Sequence, residues 1–150
     1  MDLHGGPGSQ NGFDNSGKRG EVHWHEGENP DRTVRILGKV ATMVKQWIDE
    51  GAFKLDTIEG LELLNEPAGF YDWVWNVCKD GFYSNGYDEI RKVFPDSEKT
   101  LVSIQQAFRG YGDFNGVLPH EVIKLEIFFS FEKSKLQILF FICSTIQAFK

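Results

Sequence analysis

The 150-residue sequence predicts an α/β fold built on a parallel sheet over residues 1–116, followed by a tail of different character. Three observations carry this expectation. Short apolar runs alternate with segments of helical period, and strands separated by helices pair in parallel. Each apolar run ends in polar residues, as strands do where their carboxyl ends reach a site. Composition changes abruptly at Val117.

The elements follow in order. Asp2-Leu3-His4 reads as the end of a strand. Residues 5–27 have no period and are rich in Gly, Ser and Asn, so they form a loop. Ordered loops of that length in compact domains tend to be functional. A helix comes next, with Asn29 as its cap and Pro30 in its first turn. Val34, Leu37, Ala41, Val44 and Ile48 fall on one face, with Val40, Met43 and Trp47 beside them, and Gly51 ends it. Residues 57–64 are short, apolar and strand-like, and run into Asn65-Glu66-Pro67. Residues 71–79 and 87–94 have helical character, with Gly81 and Gly86 between them and Pro95 as the stop. Residues 100–104 form a further strand, which ends in Gln105 and Gln106.

Composition excludes several classes. Apolar content of 41% and charged content of 25% are those of a globular protein. A net charge of −6 argues against nucleic-acid binding, which needs a basic stripe to neutralise phosphates. The 14% aromatic content is high and suits either core packing or flat platforms for ligands. Cys78 and Cys143 are too few for a disulfide framework or a zinc site, so each is expected as a free buried thiol. His23-Trp24-His25-Glu26 invites a metal reading, but histidines two apart alternate faces on a strand and no third ligand is evident. No metal and no cofactor are expected. Residues 1–8 hold no apolar signal region, which read literally places the chain in the cytoplasm.

The tail, residues 117–150, lacks Gly, Trp, Tyr, Asn, Asp and Arg, whereas residues 1–116 contain all 16 glycines and all four tryptophans. Its four Lys against three Glu make it +1, leaving −7 for the remainder. Phe and Ile supply 11 of its 34 residues, and Pro119 is its one strong turn former. Residues 136–149 would form a helix about 21 Å long at 1.5 Å per residue. A bilayer core needs about 30 Å, so the tail is not expected to span a membrane. Such a make-up is unusual for a natural domain, and read-through or splice-derived sequence is one expectation for its origin.

Two runs carry a family resemblance. Asp2-Leu3-His4-Gly5 with Pro7-Gly8-Ser9-Gln10-Asn11-Gly12-Phe13-Asp14-Asn15-Ser16-Gly17 closely resembles the loop after strand three in exo-β-1,3-glucanases of glycoside hydrolase family 5. Leu61-Glu62-Leu63-Leu64-Asn65-Glu66-Pro67 is similar to that family's strand-four signature, which ends in the catalytic acid/base. The resemblance covers residues 1–116 and implies part of a (β/α)8 barrel, from the end of strand three through strand five, with a tail foreign to the family.

Retaining glycosidases use two carboxyl groups about 5–5.5 Å apart, one to protonate the leaving oxygen and one to attack the anomeric carbon. The resemblance makes Glu66 the first of these. It gives Asn65 a hydrogen bond to the sugar 2-OH and places His4 in the glucose subsite. Phe13 corresponds to an aromatic at the cleft entrance; from the residues alone, loop packing and ligand stacking stand level. Phe108 is equally open between the cleft and the core, while Trp73-Val74-Trp75 reads as helix packing before a sugar platform. Gln105 and Gln106 stand where some relatives carry a His-Asp pair, so neither receives a role.

No counterpart of the nucleophile is found. Glu121, Glu126 and Glu132 sit in no matching context. The expected partner is a β-glucan or its oligosaccharides, in a family that is typically secreted, and no oligomeric state is specified. Read alone, the chain is expected to be marginally stable and to hydrolyse no β-glucan. A non-catalytic carbohydrate-binding remnant, a gene product without separate function, and an interaction form made by the tail are the competing readings.

Overall fold

In the computed structural model, the described residues are 1–54, 57–95, 100–115, 117 and 125–126. The expectations for residues 118–124 and 127–150, Cys143, Glu121 and Glu132 among them, therefore lie outside them, as does the side chain of Glu126. Three parallel strands lie side by side in chain order: β1 (Gly60–Glu62), β2 (Leu101–Gln105) and β3 (Leu125–Glu126). On the other flank of β1, Asp2 forms a parallel bridge to Glu62, with Glu62 N–H donating to Met1 O at 2.8 Å. The start of the chain is thus a fourth parallel segment, in agreement with its reading as a strand end.

Strand β1 is shorter than residues 57–64. Its ladder nevertheless continues past Glu62, since Leu63 N donates to Ser103 O at 3.1 Å and Asn65 N to Leu3 O at 3.0 Å. Leu63 and Leu64 are both fully buried. Consecutive buried residues mark a parallel strand covered on both faces, where alternation gives way to a continuous apolar run.

Helix α1 (Asn29–Asp49) buries Leu37, Ala41 and Val44, as its 3.6-residue period requires. Pro30 stands in its first turn, where a missing N–H costs nothing. Two details differ from the sequence reading. Glu28 takes the cap position, and the Asn29 side chain instead donates to His23 O at 3.0 Å. Met43 lies in solvent, because it sits at the edge of the apolar stripe.

The second helical stretch runs from α2 (Asp72–Val77) through a π-type turn (Cys78–Phe82) into α3 (Tyr83–Arg91). Gly81 breaks regular geometry there, with φ 177° and ψ −37°. Gly86 does not break the helix. It is buried where α3 crosses α1, and a Cβ there would stand 3.1 Å from Leu63 Cδ1 and 3.4 Å from Leu37 Cδ1. Close packing overrides the poor helix propensity of glycine.

One apolar core joins these parts. Trp24 is fully buried, its indole donating to Thr33 Oγ1 at 2.9 Å and its ring meeting Phe82 edge-on at 4.8 Å. This residue, read from sequence as part of a metal-like run, is the plug that fastens the long loop to α1. Trp75 and Val74 join the core too, as helix packing predicts, but Trp73 does not: it is 42% exposed. Among the described residues no helix is long and apolar enough to cross a membrane.

Candidate active site

The ends of the strands converge on one buried side chain. Gln10 is fully buried and all its polar atoms are used. Its Oε1 accepts from Gly6 N at 2.9 Å, while its Nε2 donates to His4 O and to Asn65 O, each at 2.9 Å. Ala68 N returns a bond to Gln10 O at 3.0 Å. The loop after the first strand segment is thereby tied to both strand ends.

Glu66 follows at the carboxyl end of β1, half-buried, with φ +45°. A non-glycine residue in that region is strained and persists only where its surroundings hold it. Asn11 Nδ2 donates to Glu66 O at 3.0 Å, which holds the backbone. Asn15 Nδ2 donates to Glu66 Oε2 at 2.9 Å, which aims the carboxyl group. Among the described residues, the other non-glycine positive φ values are at Ser9, Ala107 and Phe108. All of them lie in the same strand-end loops, and strain of this kind clusters at functional sites.

His4 and Asn65 stand beside Glu66. His4 Nδ1 is hydrogen-bonded to Asp2 Oδ2, which orients the ring, and His4 Nε2 faces Asn65 Nδ2 at 3.4 Å. With Nδ1 engaged by the Asp2 carboxylate, Nε2 is the ring nitrogen left facing Asn65. The structure therefore brings Glu66, Asn65 and His4 to one edge of the sheet. Phe13 belongs to the same rim: it is 40% exposed and meets Phe108 edge-to-face at 6.2 Å and 82°. Phe108 faces solvent at the rim and not the core.

A second fastening joins the β1 and β2 ends. Gly69 passes so close to Ala107 that a Cβ would lie 2.3 Å from its carbonyl oxygen. Arg109 donates from Nε to Gly69 O and from its Nη2 to Asp72, with its guanidinium 5.6 Å from the Trp75 ring centre. Gln105 is buried and structural, its Oε1 accepting from Ala107 N at 3.1 Å.

His23 and His25 both lie within reach of Glu26. His23 pairs with Glu26 at 2.9 Å, a hydrogen bond that raises the histidine's pKa and lowers that of the glutamate. Among the described residues no group of three or more His, Cys, Asp or Glu could hold an ion. Gln10, Asn11, Asn15 and Arg109 were not singled out by sequence reasoning. The first three stand inside the loop run that carried the resemblance, so their signal was polar residues concentrated in a long loop. Arg109 has no local signal, because its partners lie about 40 residues away.

No family model matches the chain. Curated relatives do. A glucan 1,3-beta-glucosidase from Blumeria graminis is 36% identical over 121 residues, covering 81% of this chain and 25% of the relative. Those from Pichia angusta and Lachancea kluyveri are 41% and 37% identical over 81% of the chain. The chain spans about a quarter of the length of the relatives it matches.

Proposed function

The chain belongs to the glucan 1,3-β-glucosidase family, at about a quarter of the length of its relatives, and from this premise we propose that it carries the acid/base half of a retaining β-glucan hydrolase site. The proposal extends to membership of glycoside hydrolase family 5 and to a partial (β/α)8 barrel, from the end of strand three through strand five. What supports it is one observation above the rest. Glu66 is held at a strand's carboxyl end in a strained conformation, aimed by Asn15, with Asn65 and His4 at its side.

In this reading Glu66 protonates the glycosidic oxygen as the bond to the anomeric carbon breaks, then takes a proton from the water that completes hydrolysis. Asn65 holds the sugar 2-OH, and His4 offers Nε2 to a hydroxyl of the same glucose. Phe13 gives its face to the apolar C–H side of the next ring. The attacking carboxylate has no counterpart by resemblance, so this chain alone activates the leaving group without being able to displace it.

A chimera tests the proposal. Residues 1–115 replace the corresponding stretch of a relative, and glucose release from a laminarin-type β-1,3-glucan is measured. The chimera is expected to hydrolyse the glucan, with Glu66→Gln lowering kcat by about 10²–10⁴-fold, the range for general acid catalysis. A fluoride or dinitrophenyl leaving group, which needs no proton, should be released with little loss in the first turnover, while later turnovers stay slow because the water step still lacks its base. An active chimera indifferent to Glu66→Gln would sink the assignment.

A further inference from the structure

The aromatic rim does not end at Phe108. Phe108 meets Phe70 at 5.4 Å, Phe70 meets Tyr71 at 4.7 Å, Tyr71 stacks on Trp73 at 4.6 Å and 8°, and Trp73 meets His25 at 4.2 Å. These rings come from three separate stretches of chain: the loop of His25, the turn entering α2, and the end of β2. Phe70, Tyr71 and Trp73 are 48%, 42% and 42% exposed, so the row is a surface feature and not an arm of the core. With Phe13 and Phe108 it accounts for five of the eight large hydrophobic side chains exposed among the described residues. Contiguous exposed apolar groups of this kind mark interaction sites.

We infer that Phe70, Tyr71, Trp73 and His25 form an outer carbohydrate platform, which takes the part of a β-glucan chain lying beyond the sugars next to Glu66. The inference rests on the functional reading above and goes past it, since that reading uses no ring beyond Phe13. Two observations select a sugar chain as the occupant. The row is continuous with the rim of the Glu66 site through the Phe13–Phe108 contact, so an occupant leaving that site is led along it. Polar groups border the rings: exposed Asp72 beside Tyr71 and Trp73, and Glu26 beside His25. A pyranose has the matching surface, an apolar C–H side edged by hydroxyls.

The test is a titration of the full chain with laminaribiose and laminarihexaose, followed residue by residue through amide and indole NMR shifts. The hexaose is expected to bind about tenfold more tightly than the disaccharide, a factor worth 1.4 kcal/mol. It should also shift the Trp73 indole, which the disaccharide leaves unmoved. Tyr71→Ala with Trp73→Ala should remove that advantage and leave disaccharide affinity unchanged, while Trp73→Tyr, which keeps a ring, should retain most of it. Equal affinity for the two sugars in the unaltered chain, or full hexaose affinity in the double variant, would overturn the platform. Shifts at Trp73 without any at Asn65 and Glu66 would sustain the platform and count against the Glu66 site. Self-association lost in Trp73→Ala, with no sugar-induced shift, would assign the row to a second copy of the chain and overturn the proposal.

Discussion

Gln10 shows how a single buried side chain can organise the strand-end loops around Glu66. Its amide satisfies Gly6 N, His4 O and Asn65 O, three backbone groups from two strand ends. Buried groups left without partners cost about 1–3 kcal/mol each, so Gln10→Met, similar in size but unable to make these bonds, is expected to destabilise by at least that amount. Urea unfolding followed by circular dichroism measures it, and a loss below about 0.5 kcal/mol would contradict the role. Two other residues give the fold a pH dependence. Burial pushes the Cys78 thiol up to about 12 from its ordinary 9.0, against a smaller opposing effect of the Tyr83 hydrogen bond. Burial also holds Tyr83, whose hydroxyl donates to Gln105 O at 2.8 Å, well above 10.0. Both groups keep their protons in the folded chain at pH values where the unfolded chain releases them. Their stabilising contribution is therefore whole below about pH 9 and declines as pH rises toward about 12. The urea midpoint should fall over that interval, and less steeply in Cys78→Ala; a midpoint independent of pH would rule this out.

At the scale of elements, the site depends on how closely two strand-end loops approach. Gly69 admits the Ala107 carbonyl where any Cβ would overlap it, and Arg109 then binds the joint from the β2 side. Gly69→Ala must force the loops apart, at a cost of about 1–3 kcal/mol by the measure of overpacked sites. The expected result is a lower urea midpoint together with shifted amide signals at Glu66, Ala107 and Phe108. Unchanged signals there would show that the two loops are not coupled. Much at this scale was legible in the sequence. The α1 stripe, the strand ends at Asn65 and Gln105, and the break near Gly81 all follow from local periodicity and backbone preference. What misled was Gly86, which reads as a helix break. It is a helix residue, because its environment is set by Leu37 and Leu63, far away in the chain. Trp73 misled in the opposite direction: a Trp-Val-Trp run on a helix reads as core, yet only Val74 and Trp75 are buried.

For the whole molecule, the short sheet limits stability. Strands of three, five and two residues, with one bridge at Asp2, leave the Asp2 flank without a further strand among the described residues. Beside it a cleft lined by Met1, Leu3, Leu37, Val40, Leu61 and Ile90 remains open to solvent. The chain on its own is expected to unfold with less than about 5 kcal/mol, the lower end for native domains, and to release no glucose from laminarin. A urea titration measures the first and a reducing-sugar assay the second. Glucose release abolished by Glu66→Gln would show that the chain supplies both carboxyl groups. The sequence by itself determined the alternation of short strands with helices, the loop and strand-end runs that carry the resemblance and, through that resemblance, the proposal of Glu66, Asn65, His4 and Phe13 as site residues. Those depend on local periodicity and on motifs that survive without neighbours. Tertiary structure alone decided that Gln10 ties the strand ends together, that Asn11 and Asn15 hold Glu66 in place, that Trp24 anchors their loop, and that rings from three stretches line up beyond Phe13. The reason is physical: each of those contacts joins residues distant in the chain, and no local preference of either partner encodes the distance between them.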